Sequence, residues 1–162
     1  MGKLYVRVDD RLIHGQTIVA WCPTLKIDEI IAIDDVSAKN PMLKSILTMS
    51  VPKNYKADIV TTDEAKKMLA KESDSNRLVI VKYPELLTKI KDQIRSAECI
   101  YLGNLAKRAD TNHQMSGATG IFFLSDRDIE EINALVDEGF KVTFHQLPNA
   151  AGKEWSEFTR TL

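Results

Sequence analysis

Short runs of aliphatic and β-branched residues alternate with amphipathic runs of helical period along almost the whole chain. Several of the short runs are apolar throughout, which is typical of strands that are covered on both faces. Repeated strand–helix–strand units predict an α/β fold, in which a mostly parallel sheet carries helices on both faces. The predicted strands are Leu4–Val8, Glu29–Ile33, Ala57–Val60, Leu78–Val81, Cys99–Leu102, Gly120–Leu124 and Lys141–His145.

The helical runs between these strands carry start and stop signals. Asn40, which precedes a proline, predicts a helix N-terminus. Ser125 and Asp128 have the spacing of a capping box, and Gly139 predicts the end of the same helix. Residues 105–118 show no clear period, so we expect an irregular stretch there.

Composition narrows the class of protein. The length of 162 residues suits a single domain spanning positions 1–162. The 22 basic residues nearly cancel the 23 acidic ones, so no overall basic field favours nucleic acid. The apolar runs are strand-sized, far below the roughly 20 residues that cross a bilayer, and the N-terminus lacks the parts of a signal peptide. Cys22 and Cys99 lie in apolar segments and are expected to be buried free thiols in a cytosolic protein.

The segment from Asp9 to Gln16 concentrates acid, base, imidazole, glycine and amide in one short loop. It follows the first predicted strand, and ligands of open α/β sheets bind beyond the carboxyl ends of strands. A helix-like run extends from Gly15 to Pro23, which places His14 at a helix N-terminus. Free backbone N–H groups and the helix dipole there favour a bound anion, such as a phosphoryl group on the imidazole.

The neighbouring side chains fit phosphoryl transfer. A neutral imidazole is a good nucleophile near neutral pH, and Arg11 can clamp the phosphoryl oxygens. Either Asp9 or Asp10 can orient this arginine or fix the imidazole tautomer. Gly15 allows close backbone approach, and the Gln16 amide can donate a hydrogen bond. The candidate catalytic residues are His14 and Arg11 with one of the two aspartates, of which we select Asp10, and Gly15 and Gln16 are the candidate phosphate-binding residues.

Residues 7–16 have the sequence RVDDRLIHGQ. This segment closely resembles the (A/V)RxDDRLIHGQ segment of mannose/fructose/sorbose-family IIB components of the bacterial phosphoenolpyruvate-dependent sugar phosphotransferase system. The similarity extends along the chain. It includes a helix–turn–proline pattern from Leu43 to Pro52, Gly103-Asn104 near the end of the fifth strand, and the helix after Ser125. The resemblance implies an open, largely parallel seven-stranded α/β fold and a phosphoryl group carried on Nδ1 of His14.

The resemblance also implies a role and partners. His14 would accept the group from a phosphohistidine of a IIA partner and pass it to a sugar that membrane IIC and IID subunits carry in. Arg11, Asp10 and the backbone around Gly15 would stabilise the phosphorylated loop, while Arg7 and Arg11 would meet acidic residues on IIA. The chain would need no cofactor and would associate peripherally with the membrane permease. The sugar (mannose, fructose, sorbose, N-acetylgalactosamine or another) and the oligomeric state, a homodimer included, stay open.

Two other functions use the same α/β pattern. A receiver-like signalling domain would be phosphorylated on Asp, and Lys82 after the fourth strand fits it. Thr61 and Thr62 stand where its phospho-accepting Asp is expected. A non-catalytic sugar- or protein-binding module explains the fold but not the loop. No glycine-rich dinucleotide or P-loop motif occurs in the sequence, which disfavours direct use of a nucleotide.

The remaining histidines and one basic pair are secondary candidates. His113 is expected either as an exposed loop residue or as a neighbour of His14 across the strand ends. His145 is expected to be half-buried or bound to backbone. A zinc site built on His14, His113 and Asp10 lacks tight ligand spacing, and no metal is predicted. The basic pair at 107–108 fits either a docking patch or a solvated turn.

Overall fold

The structure, a computed structural model, describes residues 1–117 and 120–162. Its strands are β1 (Leu4–Val8), β2 (Glu29–Ile33), β3 (Lys56–Val60), β4 (Arg77–Val81), β5 (Ile100–Leu102), β6 (His113–Ser116), β7 (Ile121–Leu124), β8 (Val142–Phe144) and β9 (Lys153–Glu154). Its α-helices are α1 (Cys22–Leu25), α2 (Asp35–Ala38), α3 (Pro41–Met49), α4 (Thr62–Leu69), α5 (Pro84–Ile90), α6 (Asp126–Asp137) and α7 (Trp155–Thr159). A π-helical turn, Thr17–Trp21, leads into α1, and a 3₁₀ turn, Lys91–Gln93, follows α5.

One sheet of seven strands has the order β3-β2-β4-β1-β5-β8-β9. Its pairings are parallel except that of β8 with β9, so the predicted open and mostly parallel seven-stranded sheet is confirmed. β1 and β5 are neighbours in this sheet, and the chain leaves them in opposite directions. After β1 it continues to β2 on one side, and after β5 the next strand of this sheet is β8 on the other side. Ligands of open α/β sheets bind in the crevice beyond the carboxyl ends of two such strands. The loop that follows β1 starts at this crevice.

Two hydrophobic cores cover the two faces of the sheet. Val79 of β4 packs in one core with Leu87 of α5 and Ile132 of α6. Ile80, the next residue of the same strand, packs in the other core with Ile18 of the π-helical turn. Successive side chains of a strand point to opposite faces. The apolar strands therefore need helices on both sides, as the sequence predicted.

The helix signals that the sequence analysis used are confirmed. The Asn40 side chain accepts hydrogen bonds from two amides in the first turn of α3. Ser125 and Asp128 form the full capping box of α6. Gly139 follows that helix with a φ of +100°, a conformation that favours glycine. The first helix differs from the prediction, because it continues through Pro23 to residue 25 after the π-helical turn.

Two short strands differ from the prediction. The strand predicted at 120–124 does not join the main sheet, because β7 pairs with β6 in an antiparallel hairpin. The stretch expected to be irregular, 105–118, contains β6, and its last position lies outside the described residues. The seventh strand of the main sheet is instead β9, which is two residues long. Neither β6 nor β9 has an apolar run that would mark it in the sequence.

Both cysteines are buried free thiols, as predicted. Burial raises the pKa of the Cys22 thiol to about 12, so this side chain stays protonated at neutral pH. No helix in residues 1–117 and 120–162 is both long and apolar enough to cross a bilayer.

Candidate functional site

His14 lies immediately before the first helical residue, Gly15, at the carboxyl end of β1. The amide of Ile18 donates to the His14 carbonyl at 3.3 Å, so the helix starts here and the predicted position is confirmed. The first amides of a helix have no intrahelical partners and lie at the positive end of its dipole. The imidazole is 15% exposed. Part of the ring can therefore be reached from solvent, while most of it is covered by its neighbours.

Asp9 fixes the orientation of this ring. Its side chain is fully buried, and Oδ2 lies 2.9 Å from Nε2 of His14. An ionised carboxylate only accepts hydrogen bonds, so Nε2 carries the proton and Nδ1 keeps its lone pair. Thr17 Oγ1 also lies 2.9 Å from Nε2. The contacts therefore occupy Nε2 and leave Nδ1 with its lone pair.

Asp9 stays ionised although it is buried. Burial acts to raise the pKa of this carboxyl, but hydrogen bonds from His14 and Arg11 outweigh burial and hold the pKa below its ordinary value. Arg11 donates to Oδ1 from its backbone amide at 3.0 Å and from Nε at 3.2 Å. Nε of Arg7 lies 3.6 Å from Oδ2. One buried anion thus gathers two guanidinium groups and the imidazole.

The backbone of the loop is a tight turn. The Leu12 amide donates to the Asp9 carbonyl at 3.0 Å, and the Asp9 side chain accepts from the Arg11 amide in an Asx-type turn. Leu12 has a φ of +57°, which non-glycine residues adopt at a cost. Its side chain and that of Ile13 are buried in the second core. This burial anchors the loop and offsets the backbone strain.

Arg11 and Gln16 line a cleft beside the helix start. The cleft has a volume of about 160 Å³ and is lined by Arg11, Gln16, Asn104, Gln146 and Leu147. Nη2 of Arg11 lies 3.5 Å from Oε1 of Gln16, and the guanidinium remains partly exposed. A cation and amide side chains in an open cleft suit an anionic group. The sequence analysis identified two of these residues and missed Asn104 and Gln146, which come from the loops after β5 and β8.

Asp10 does not occupy the position that the sequence analysis gave it. Its Oδ1 accepts from Nδ2 of Asn104 at 2.6 Å, and its Oδ2 accepts from the amide of Ala106 at 3.0 Å. Its own amide donates to the Asn104 carbonyl at 3.1 Å. Asp10 therefore braces the loop after β5 against the loop after β1, and the carboxylate that holds the imidazole and Arg11 is Asp9. The assignment of Asp10 to the catalytic set is corrected accordingly.

Arg7 is part of the interior. Its side chain is 1% exposed, and it donates from Nη1 to the His145 carbonyl at 2.8 Å and from Nη2 to the Gln146 carbonyl at 2.9 Å. Its guanidinium carbon lies 4.9 Å from the ring centroid of Trp21. Burial lowers the pKa of Arg7 to about 10, so the side chain stays charged at neutral pH. The expectation that Arg7 contacts acidic residues of a partner is wrong, because protein covers the guanidinium on all sides.

The other histidines have structural partners. Nε2 of His113 lies 2.7 Å from Oδ1 of Asp126, and the residue belongs to β6 rather than to a loop. Nε2 of His145 lies 2.8 Å from the carbonyl of Ala150, so the predicted bond to backbone is confirmed. Within the described ranges, no three His, Cys, Asp or Glu side chains form a cluster that could hold a metal ion.

The basic pair at 107–108 is divided between two environments. Arg108 forms an ion pair with Asp128 at 2.5 Å, and its guanidinium carbon lies 4.8 Å from the Tyr83 ring centroid. Lys107 is exposed. Arg108 therefore connects the loop after β5 to the start of α6. Of the two basic residues, only Lys107 has its side chain in solvent.

The sheet order and the loop after β1 define a doubly wound α/β protein with a histidine held by a buried aspartate at its switch point. A family model described as "PTS system sorbose subfamily IIB component" matches residues 4–161. The chain therefore belongs to the sorbose subfamily of IIB components of sugar phosphotransferase systems, as the segment at 7–16 indicated. Its general role is thus that of a phosphotransferase-system component in sugar transport.

Individual relatives agree with this family along the whole chain. The fructose-specific EIIB component of Bacillus subtilis (strain 168) is 28% identical over 165 residues, which cover 100% of this chain and 98% of the relative. The N-acetylgalactosamine-specific phosphotransferase enzyme IIB component 1 of Escherichia coli (strain K12) is 19% identical over 147 residues, 90% of each chain. The crystal structure of the IIBSor domain of the sorbose permease from Klebsiella pneumoniae has a TM-score of 0.86 at 19% identity and covers 99% of this chain and 98% of that one. This last likeness supports the fold.

Proposed function

We propose that this chain is a phosphocarrier that accepts a phosphoryl group on His14 from phospho-IIA and passes it to a sugar entering through IIC and IID membrane subunits. The observation that carries the proposal is the 2.9 Å contact between Oδ2 of Asp9 and Nε2 of His14 at a helix N-terminus. It holds the proton on Nε2 and presents Nδ1 as the nucleophile, beside groups that bind anions.

In the first step, the Nδ1 lone pair of His14 attacks phosphorus. The bond between phosphorus and the donor histidine of IIA breaks, and the donor nitrogen keeps the electron pair. Positive charge develops on the attacking imidazole, and the buried Asp9 carboxylate stabilises it. Arg11 and the first amides of the helix stabilise the equatorial oxygens of the transferring group.

In the second step, a sugar hydroxyl attacks the same phosphorus and loses its proton. The N–P bond breaks and its electron pair returns to Nδ1, which restores the neutral ring. The sugar gains a phosphate ester. Solvent water takes the proton that the hydroxyl loses, so atoms and charge balance.

Gly15 and Gln16 support the phosphate-binding assignment. A methyl group built on Gly15 would meet no atom within 4 Å, so the space beside this residue at the helix start is open. Gln16 lines the cleft together with Arg11. We infer that a phosphoryl group on His14 occupies this space, where helix amides and the guanidinium can reach its oxygens.

The alternatives find less support. In the receiver-like reading, position 61 should bear the acceptor carboxylate, but Thr61 caps α4 through the Glu64 amide at 3.2 Å. A module without chemistry leaves the buried Asp9 beside an imidazole unexplained. The phosphocarrier accounts for the fold and for the loop together.

The experiment is reconstitution of the transfer. The chain is incubated with phosphoenolpyruvate, the general phosphotransferase proteins and IIA, and bound phosphate is measured. We expect an acid-labile, alkali-stable phosphoryl group on wild type, none on His14→Ala, and wild-type levels on His113→Ala as the matched control. A wild-type chain that gains no phosphate, or a His14→Ala variant that gains as much, would overturn the proposal.

A further inference from the structure

Helix α3 turns its apolar side chains to solvent. None of its residues is buried, although Met42, Leu43, Ile46 and Met49 recur at helical spacing and share one face. Met42 is 72% exposed and Met49 is 77% exposed. We call these four side chains the α3 apolar face. Scattered apolar residues on a surface are ordinary, but several on one helix mark a surface that binds something.

The chain segment that carries this face is basic, although the exposed Asp35 precedes it and Asp58 follows it. Residues 36–57 contain no Asp or Glu, in a chain that has 23 of them. The charged residues of the segment are Lys39, Lys44, Lys53 and Lys56. Lys44 pairs with Asp58 at 3.0 Å and Lys56 pairs with Glu29 at 3.8 Å, both acidic residues lying outside the segment, whereas Lys39 and Lys53 are exposed. The α3 apolar face is therefore accompanied by exposed positive charge and by no negative charge of its own segment.

We propose that the α3 apolar face docks on the surface of an anionic lipid bilayer. An apolar helix face can enter the boundary between headgroups and acyl chains, and lysines beside it attract anionic headgroups. Lysine suits this position because its aliphatic stem lies along apolar surface while the ammonium stays in water. The lysines and the α3 apolar face would then contact the same bilayer.

A protein occupant fits these observations less well. In a twofold pair of this chain, the face would meet its own copy, and Lys39 and Lys53 would be brought near like charges without acidic partners in the segment. In protein–protein interfaces in general, lysine is depleted. The combination of an outward apolar helix and lysines therefore favours a lipid surface.

The position of α3 keeps this surface apart from the phosphoryl chemistry. α3 contacts β3, the edge strand, which is separated from β1 by β2 and β4. The α3 apolar face and the His14 crevice therefore belong to different strands of the sheet. The inference does not depend on the proposed function, since vesicle binding and phosphoryl transfer are measured separately.

Vesicle flotation tests the proposal with the full chain at low salt. Vesicles of phosphatidylcholine alone are compared with vesicles of equal parts phosphatidylcholine and phosphatidylglycerol. We expect binding to the anionic vesicles that added salt weakens, and partitioning about tenfold or more lower for the double variant Met42→Gln, Ile46→Gln. Lys39→Glu combined with Lys53→Glu should also weaken it. Val19→Gln is the matched control, because Val19 is 77% exposed on the first helix and lies outside the face.

Several results would overturn the inference. One is equal binding to neutral and anionic vesicles, or no binding to either. Another is a Val19→Gln variant that loses as much binding as the Met42 and Ile46 variant. A dimer in analytical ultracentrifugation that this double variant dissociates, without vesicle binding, would assign the face to a second copy. Binding only to vesicles that contain the IIC and IID subunits would assign it to a protein.

Discussion

The hydrogen bond of 2.9 Å between Nε2 of His14 and Oδ2 of Asp9 joins the accessible part of the site to its buried part. The imidazole reaches solvent, whereas the carboxylate lies in the interior with Arg7 and Arg11 around it. A buried carboxylate that stays charged can hold one tautomer and stabilise positive charge on the ring. The proposed chemistry of the loop depends on this pair.

The first prediction concerns Asp9→Asn. An amide can donate to Nε2, which moves the ring proton to Nδ1, and it no longer stabilises a cationic ring. We expect phosphoryl transfer from phospho-IIA to fall by a factor of about 10²–10⁴. Single-turnover kinetics with labelled phospho-IIA measure this.

Asp10→Asn is the matched control for that variant. The Asp10 carboxylate binds the loop after β5, so its loss should lower the free energy of unfolding by about 1–3 kcal/mol. Transfer should stay within about tenfold of wild type. If Asp10→Asn slowed transfer as much as Asp9→Asn, the roles assigned to the two carboxylates would be wrong.

The second prediction concerns acid. The pKa of folded Asp9 lies below its ordinary value of 3.8, so the unfolded chain binds this proton more tightly. Its contribution to stability is therefore complete above the unfolded pKa and is lost as the pH falls through the folded pKa. Urea unfolding of wild type and Asp9→Asn at a series of pH values should show a stability gap that narrows below about pH 4. A gap that stays constant down to pH 2 would contradict the depressed pKa.

The third prediction compares two glycines. A methyl group on Gly103 would lie 2.5 Å from Nη2 of Arg7, whereas one on Gly15 would meet nothing within 4 Å. Gly103→Ala should lower the free energy of unfolding by about 1–3 kcal/mol. The added methyl group would push the buried Arg7 guanidinium away from the carbonyl groups to which it donates hydrogen bonds. Gly15→Ala should change it by less than about 1 kcal/mol. Equal effects in urea titrations would argue against the packing of Arg7 described above.

The fourth prediction concerns Arg11. This side chain is partly exposed, so Arg11→Ala should leave the fold intact. Loss of the charge beside the phosphoryl oxygens should slow transfer by a factor on the order of 10² or more. Arg11→Lys should restore only part of the rate, because an ammonium cannot form two parallel bonds. Unchanged transfer in Arg11→Ala, measured beside a circular dichroism control, would remove Arg11 from the mechanism.

Local signals predicted much of the fold. The bounds of β1 and β2 match the predicted runs, since strands covered on both faces are mostly apolar. The short hairpin strand β6 and the two-residue strand β9 could not be predicted in this way. Their partners, rather than their own residues, make them strands.

The site was predicted less completely, for a geometric reason. Asp9 and Asp10 are neighbours, and the sequence does not say which carboxylate turns inward where a strand ends. The family resemblance placed Arg7 at a partner surface, yet β1 lies in the middle of the sheet and both of its faces are covered. A charged residue in a central strand needs buried partners, and here the carbonyls of His145 and Gln146, distant in sequence, supply them.

The most direct test of the account is to identify the ring nitrogen that carries the phosphoryl group. The chain is labelled with nitrogen-15 in its histidines, phosphorylated through IIA, and studied by NMR under alkaline conditions. Because Asp9 and Thr17 occupy Nε2, the account predicts phosphorylation of His14 at Nδ1 alone. A phosphoryl group on Nε2, or on any residue other than His14, would contradict it.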